Sequence, residues 1–90
     1  METRDLMLDG NALGGLLLEL FGIEMTVAET VCGSCGAREC MARLDVYVHA
    51  PGVVVRCCHC GAVLMRIVRG PQRSWLDLSG MSCLELHEPH

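Results

Sequence analysis

Aromatic side chains are nearly missing from this 90-residue chain: Phe21, Tyr47 and Trp75 are the whole set. Three rings are too few to line a metal centre with aromatic packing. Long apolar runs are missing as well. The longest, Leu16-Leu17-Leu18, ends at once in Glu19, so no transmembrane helix is expected. Residues 1–10 have no basic run ahead of an apolar core and instead carry Glu2, Asp5 and Asp9. They do not read as a signal peptide, and the cytoplasm is the expected compartment. Positive charge is also in short supply, with a formal net charge of −4. A chain of that balance does not default to nucleic acid or an anionic membrane as partner. Whole-domain repeats and low-complexity segments are absent too.

What is there points to a folded chain. Hydrophobic residues make up 51% and charged residues 20%, which excludes the disordered class. Ninety residues make one small domain with limited apolar burial, for which an extra staple is useful. The seven cysteines supply one. In a cytoplasmic protein they mean metal and free thiols more often than disulfides, and an odd count leaves at least one without an intramolecular partner.

The hydrophobic period changes along the chain. Ala12, Leu13, Leu16, Leu17, Leu20 and Phe21 recur at three- and four-residue spacing, which predicts a helix over 10–21, capped by Asp9 or Asn11 and stopped by Gly22. Gly14 and Gly15 sit inside it at a cost of roughly 1 kcal/mol each relative to Ala, and they permit close backbone approach. From residue 25 onward the pattern is β. Residues 25–31 are rich in Thr and Val. Residues 44–50 alternate, with Leu44, Val46 and Val48 on one face and Asp45, Tyr47 and His49 on the other. Pro51-Gly52 is a turn, and 53–56 returns as the second arm of a hairpin. Further strands are expected over 62–68, 73–78 and 82–86, punctuated by Gly70-Pro71 and Ser79-Gly80. The whole predicts an α+β domain over 9–86, an N-terminal helix followed by a small antiparallel sheet. Residues 1–8 are expected to be a flexible start and 87–90 a tail.

Two segments copy each other. Cys32-Gly33-Ser34-Cys35-Gly36 and Cys57-Cys58-His59-Cys60-Gly61 both read Cys, two residues, Cys, Gly. Two intervening residues let a tight turn aim both sulfurs at one point, with turn amides free to donate to them. The glycine after the second cysteine takes a left-handed conformation cheaply. Twenty-one residues separate Cys35 from Cys57, enough for the 44–56 hairpin to bring the turns together. Cys32, Cys35, Cys57 and Cys60 are therefore the expected ligands of one ion in a closed four-sulfur site. Cys58 should look away, since successive side chains near a strand end diverge. His59 should sit exposed at the turn's tip. Substitution of either for a sulfur ligand is the alternative. Cys40 and Cys83 stand alone and read as small buried apolar residues. Such a site has no open position for a substrate, and no His/Glu pair is placed beside it as a base. A non-enzymatic, structural ion is the reading, with the metal needed for the fold.

Two other surfaces carry possible roles. The leucine stripe of Leu13, Leu16, Leu17, Leu20 and Phe21 can pack on the domain's own sheet or serve as a contact for a protein partner or a second copy; Leu18 falls off the main stripe. Arg66, Arg69 and Arg73 beside Trp75, with Arg56 nearby, can be solvated charges, pair with the acidic N-terminal half, or grip a nucleic-acid backbone with Trp75 stacked on a base. Arg66 and Arg69 share a face only at a bulge or a strand end.

The segments LDGNALGGLLLELFG, CGSCG, VYVHAPGVVVRCCHCGAVLMRIVRGP and WLDLSGMSCLEL resemble a small family of uncharacterised bacterial proteins, mostly actinobacterial, with a zinc-ribbon core. The resemblance runs from about Leu8 to Leu86. It implies zinc at Cys32, Cys35, Cys57 and Cys60, and it places the helix and the C-terminal segment inside the domain. It lends no activity. Many zinc knuckles carry proline after the first cysteine, where this chain has Gly33 and Cys58. The function these readings favour is a non-enzymatic zinc-ribbon module that binds another protein, with transcription or its regulation as one setting. A rubredoxin-like iron carrier, a nucleic-acid-binding ribbon and thiol chemistry at Cys58 are the rivals.

Overall fold

Among the described residues, short segments rich in branched apolar side chains build eight strands beside one α-helix. The computed structural model describes residues 7–49 and 52–86. Residues 1–6 of the expected flexible start, Pro51 of the expected turn and the 87–90 tail lie outside the described residues. Met7 and Leu8, expected in the flexible start, instead open strand β1 (Met7–Asp9), which pairs with β4 (Asp45–His49).

The helical segment is split. Asp9 accepts from the Asn11 amide at 3.1 Å and starts a 3-10 turn over Gly10–Leu13. The α-helix α1 covers only Gly14–Phe21 and stops at Gly22, whose φ of 75° lets its amide reach the Leu18 carbonyl at 2.8 Å. Close backbone approach does occur here, but at Gly10 rather than at Gly14 or Gly15. A Cβ on Gly10 would stand 1.7 Å from the Met41 carbonyl oxygen, whereas one on Gly15 would meet nothing within 4 Å. No helix among the described residues is long and apolar enough to cross a membrane.

The strands form two antiparallel sheets where one was expected. Five strands, β1, β4, β5 (Gly52–Arg56), β6 (Val63–Arg69) and β7 (Ser74–Asp77), line up in the order β1-β4-β5-β6-β7. The other three, β2 (Glu29–Cys32), β3 (Arg38–Cys40) and β8 (Met81–Glu85), take the order β3-β2-β8. The chain changes sheets at Gly80. A Cβ there would lie 1.9 Å from the Val63 carbonyl oxygen, so only glycine lets the turn cross β6 this closely and deliver β8 to β2. In the smaller sheet Glu29 and Glu85 face each other, and Arg38 reaches both carboxylates, at 3.0 and 2.8 Å.

One core joins these parts. Leu13 and Leu17 from the helical segment meet Val46, Val55, Leu64, Met65 and Ile67 of the larger sheet, together with Met25, Ala28, Met41 and Leu44. Val46 is buried and Val48 packs against the same core, as the alternation in β4 requires. None of the three aromatic residues belongs to this buried set. Cys32 and Cys57, the first cysteine of each turn, do.

Candidate metal centre

The two Cys-x-x-Cys-Gly segments fold alike, and the sequence explains why. In the first, the Gly36 amide returns to the Cys32 carbonyl at 3.0 Å and the Cys32 amide takes the Ala37 carbonyl at 2.9 Å. In the second, Gly61 returns to Cys57 at 2.9 Å and Cys57 takes Ala62 at 2.8 Å. Gly36 and Gly61 have φ of 78° and 79°, the left-handed region that favours glycine. One turn leaves β2 and leads to β3; the other leaves β5 and leads to β6. The centre therefore lies between the two sheets.

The turns bring Cys32, Cys35, Cys57 and Cys60 together, with all four sulfurs within 4.8 Å of one another. Cys32 Sγ stands 3.6 Å from Cys60 Sγ, and Cys35 Sγ 3.7 Å from Cys57 Sγ. A disulfide needs about 2.05 Å. Four sulfurs tetrahedrally placed about 2.3 Å from one ion stand about 3.75 Å apart. The cluster therefore suits a divalent metal ion, and the spacing accommodates iron as readily as zinc. Turn amides point at the sulfurs: Ser34 and Cys35 donate to Cys32 Sγ at 3.3 and 3.4 Å, and His59 donates to Cys57 Sγ at 3.3 Å.

These contacts divide the thiols. The Cys35 amide above all, helped by Ser34 and by the Cys60 and Cys35 thiols, lowers Cys32 to about 6 against the pull of its burial. The Ala37 amide lowers Cys35, but desolvation and the crowding of the Cys60, Cys32 and Cys57 thiols outweigh it and push Cys35 up to about 12.

Gly33 stands where many such turns have proline, and the structure supplies the reason. Its amide donates to the Gly80 carbonyl at 2.9 Å, and a Cβ on Gly33 would lie 2.9 Å from that same oxygen. Proline has no donor to give. The first turn is thus fastened to the β7–β8 connection.

The remaining sequence candidates separate. Cys58 and His59 are not in the four-sulfur group, but His59 pairs with Glu39 at 2.8 Å, so a His/Glu pair does stand beside the cluster, contrary to the expectation from sequence, because the turn tip meets β3. Cys40 is half-buried, while Cys83 is exposed on β8 and is not the buried residue expected. Leu13 and Leu17 are buried, and Leu16 and Leu20 pack against the core, so the inner part of the leucine stripe is used within the domain. Phe21 remains 36% exposed and Leu18 48%.

The arginines are largely engaged. Arg69, at the end of β6, pairs with Glu19 at 3.0 Å. Arg66 stands opposite Asp77, whose carboxyl is held low chiefly by Ser79 and in smaller part by Arg66. Arg56 lies over the Tyr47 ring and donates to the Gly61 carbonyl at 2.8 Å, closing the second turn. Arg73 and Trp75 line a shallow hollow with Pro71 and Gln72. Trp75 is 54% exposed and so is not a core residue.

A family model described as a family of unknown function (DUF6510) matches residues 2–89. No curated protein and no solved structure matches the chain.

Proposed function

The chain belongs to the DUF6510 family, and we propose that it is a non-enzymatic zinc-ribbon protein whose ion is structural and whose exposed surface serves protein–protein contact. The convergence of four cysteine sulfurs from two like turns carries this reading. Four sulfurs fill a tetrahedral sphere and leave no position for substrate or activated water. Zinc is favoured over a rubredoxin-like iron because no aromatic side chain enters the core around the cluster. Elemental analysis with X-ray absorption is the test: one zinc per chain with four sulfur neighbours is expected. A red protein holding iron would replace this reading with electron transfer.

The pH dependence of metal uptake follows from the thiols. Binding needs thiolates, so every ligand proton must leave. At neutral pH the ion displaces the Cys35 proton, whereas Cys32 has already lost its own. Affinity therefore falls as pH drops, and it falls more steeply below about 6, where Cys32 also takes up a proton. Competition titrations against a chelator between pH 5 and 8 read this directly. A flat profile would contradict the ligand assignment.

The contact surface proposed for a second copy or a protein partner is the outer side of α1, at Leu18 and Phe21, since Leu13 and Leu17 are already spent on the core. Association measured by sedimentation should weaken at least about tenfold in the Leu18→Asp, Phe21→Asp double variant. Strictly monomeric wild-type protein that also captures no partner through these residues would remove the interaction role. Nucleic-acid binding is the weaker alternative, because Arg66 and Arg69 already face carboxylates.

A further inference from the structure

A second group of metal-ligating side chains lies beside the first. Glu39, Cys58 and His59 place a carboxylate oxygen, a thiol sulfur and an imidazole nitrogen within 4.8 Å of one another. Glu39 comes from β3, the strand after the first turn; Cys58 and His59 are the two residues inside the second turn. The fold that closes the four-sulfur cluster thus also closes this trio. We propose that Glu39, Cys58 and His59 form a second cation site, an open three-ligand site for a borderline divalent ion such as zinc, cobalt or nickel.

The chemistry of the donors fits. Thiolate and imidazole select such ions over magnesium or calcium. Three protein ligands leave one coordination position for water or another exchangeable ligand, unlike the filled four-sulfur sphere. The ring is already aimed: His59 Nε2 stands 2.8 Å from Glu39 Oε2. The carboxylate is held from behind, with Oε1 at 3.3 Å from Arg43 Nε, and an entering ion replaces the hydrogen bond between Oε2 and His59 Nε2. Ligands fixed by outer hydrogen bonds in this way are the rule at metal sites. His59 is 50% exposed and Glu39 20%, so an ion can enter from solvent onto a partly buried carboxylate. On binding, Cys58 gives its proton to water, and the imidazole carries its single proton on Nδ1.

Charge favours the same conclusion. A dication held by four thiolates leaves a net charge of about −2 next door, and Glu39 adds to it. The guanidinium of Arg43 offsets only one charge. A second dication on Cys58 thiolate and Glu39 is locally neutral. This inference goes beyond the structural-zinc reading; its ligands are separate, and the charge argument alone rests on that reading.

Titration of metal-free full-length protein with Co2+ under reducing conditions tests it, followed by optical spectroscopy and native mass spectrometry. Wild-type protein is expected to bind two Co2+ per chain. One shows intense four-sulfur charge-transfer bands; the other shows weaker, single-thiolate bands. Cys58→Ser, His59→Gln and Glu39→Gln should each lose the second ion and keep the first with its bands unchanged, which also shows that the variants fold. Uptake of only one Co2+ by wild-type protein at tenfold excess, or two by the triple variant, overturns the site. Loss of the four-sulfur bands with retention of a Cys58-dependent ion would instead overturn the four-cysteine reading and leave this one standing.

Discussion

Chelation of the ion at neutral pH is expected to unfold the small sheet β3-β2-β8 and to loosen the rest. Cys32 and Cys57 are core residues as well as members of the four-sulfur cluster, and the cluster joins a turn from each of the two sheets. The apparent binding free energy of a structural zinc is on the order of 10 kcal/mol. The total stability of a small domain is about 5–15 kcal/mol. Losing the first therefore removes most of the second. Hydrogen exchange should show the amides of β2, β3 and β8 losing protection first, because that sheet has only three strands and its central one ends in Cys32. Cys32→Ser and Cys57→Ser should behave like the chelated protein. Metal-free protein whose β2 amides stay as protected as before would show that the ion is incidental to the fold.

The second large effect belongs to Gly80. Replacement by alanine puts a Cβ 1.9 Å from the Val63 carbonyl oxygen and 2.7 Å from the Leu64 Cα, and both are backbone atoms that cannot swing aside. The β7–β8 turn would have to lift from β6, and with it the Gly80 carbonyl that receives the Gly33 amide. A loss of about 3 kcal/mol or more is expected in denaturant unfolding, with weaker metal retention as a second sign. Gly15→Ala provides the contrast. It lies within α1 with nothing within 4 Å of the added methyl, and should stabilise by about 0.5–1 kcal/mol. Equal effects at the two glycines would mean that the β7–β8 turn does not cross β6 as closely as described.

The clustering of the four cysteines and most strands could be read from the sequence because their signals are local. Cys-x-x-Cys-Gly states the turn and its left-handed glycine within five residues. The alternation Leu44, Val46, Val48 states the face of β4. What could not be read depends on distant partners. β1 and β3 are three residues long, and they are strands because β4 and β2 run beside them. The second sheet exists because residues 81–85 return to 29–32, a pairing that no spacing in either segment encodes. The α-helix is shorter than the leucine pattern because leucine spacing does not separate a 3-10 turn from an α-helix. The pairing of Glu39 with His59 is not legible either: they meet only once the β2–β3 and β5–β6 turns come together. Gly33 looked like a flaw in the motif and is a hydrogen-bond donor instead.

The Gly33–Gly80 contact has a consequence for how the first turn is held. All four clustered sulfurs lie within residues 32–60, whereas the Gly80 carbonyl and β8 come later in the chain. The turn is therefore secured twice by different parts of the chain, once through its sulfurs and once through the Gly33 amide. A chain cut before Gly80 would keep the sulfurs, lose the second fastening and leave β2 with β3 as its neighbour.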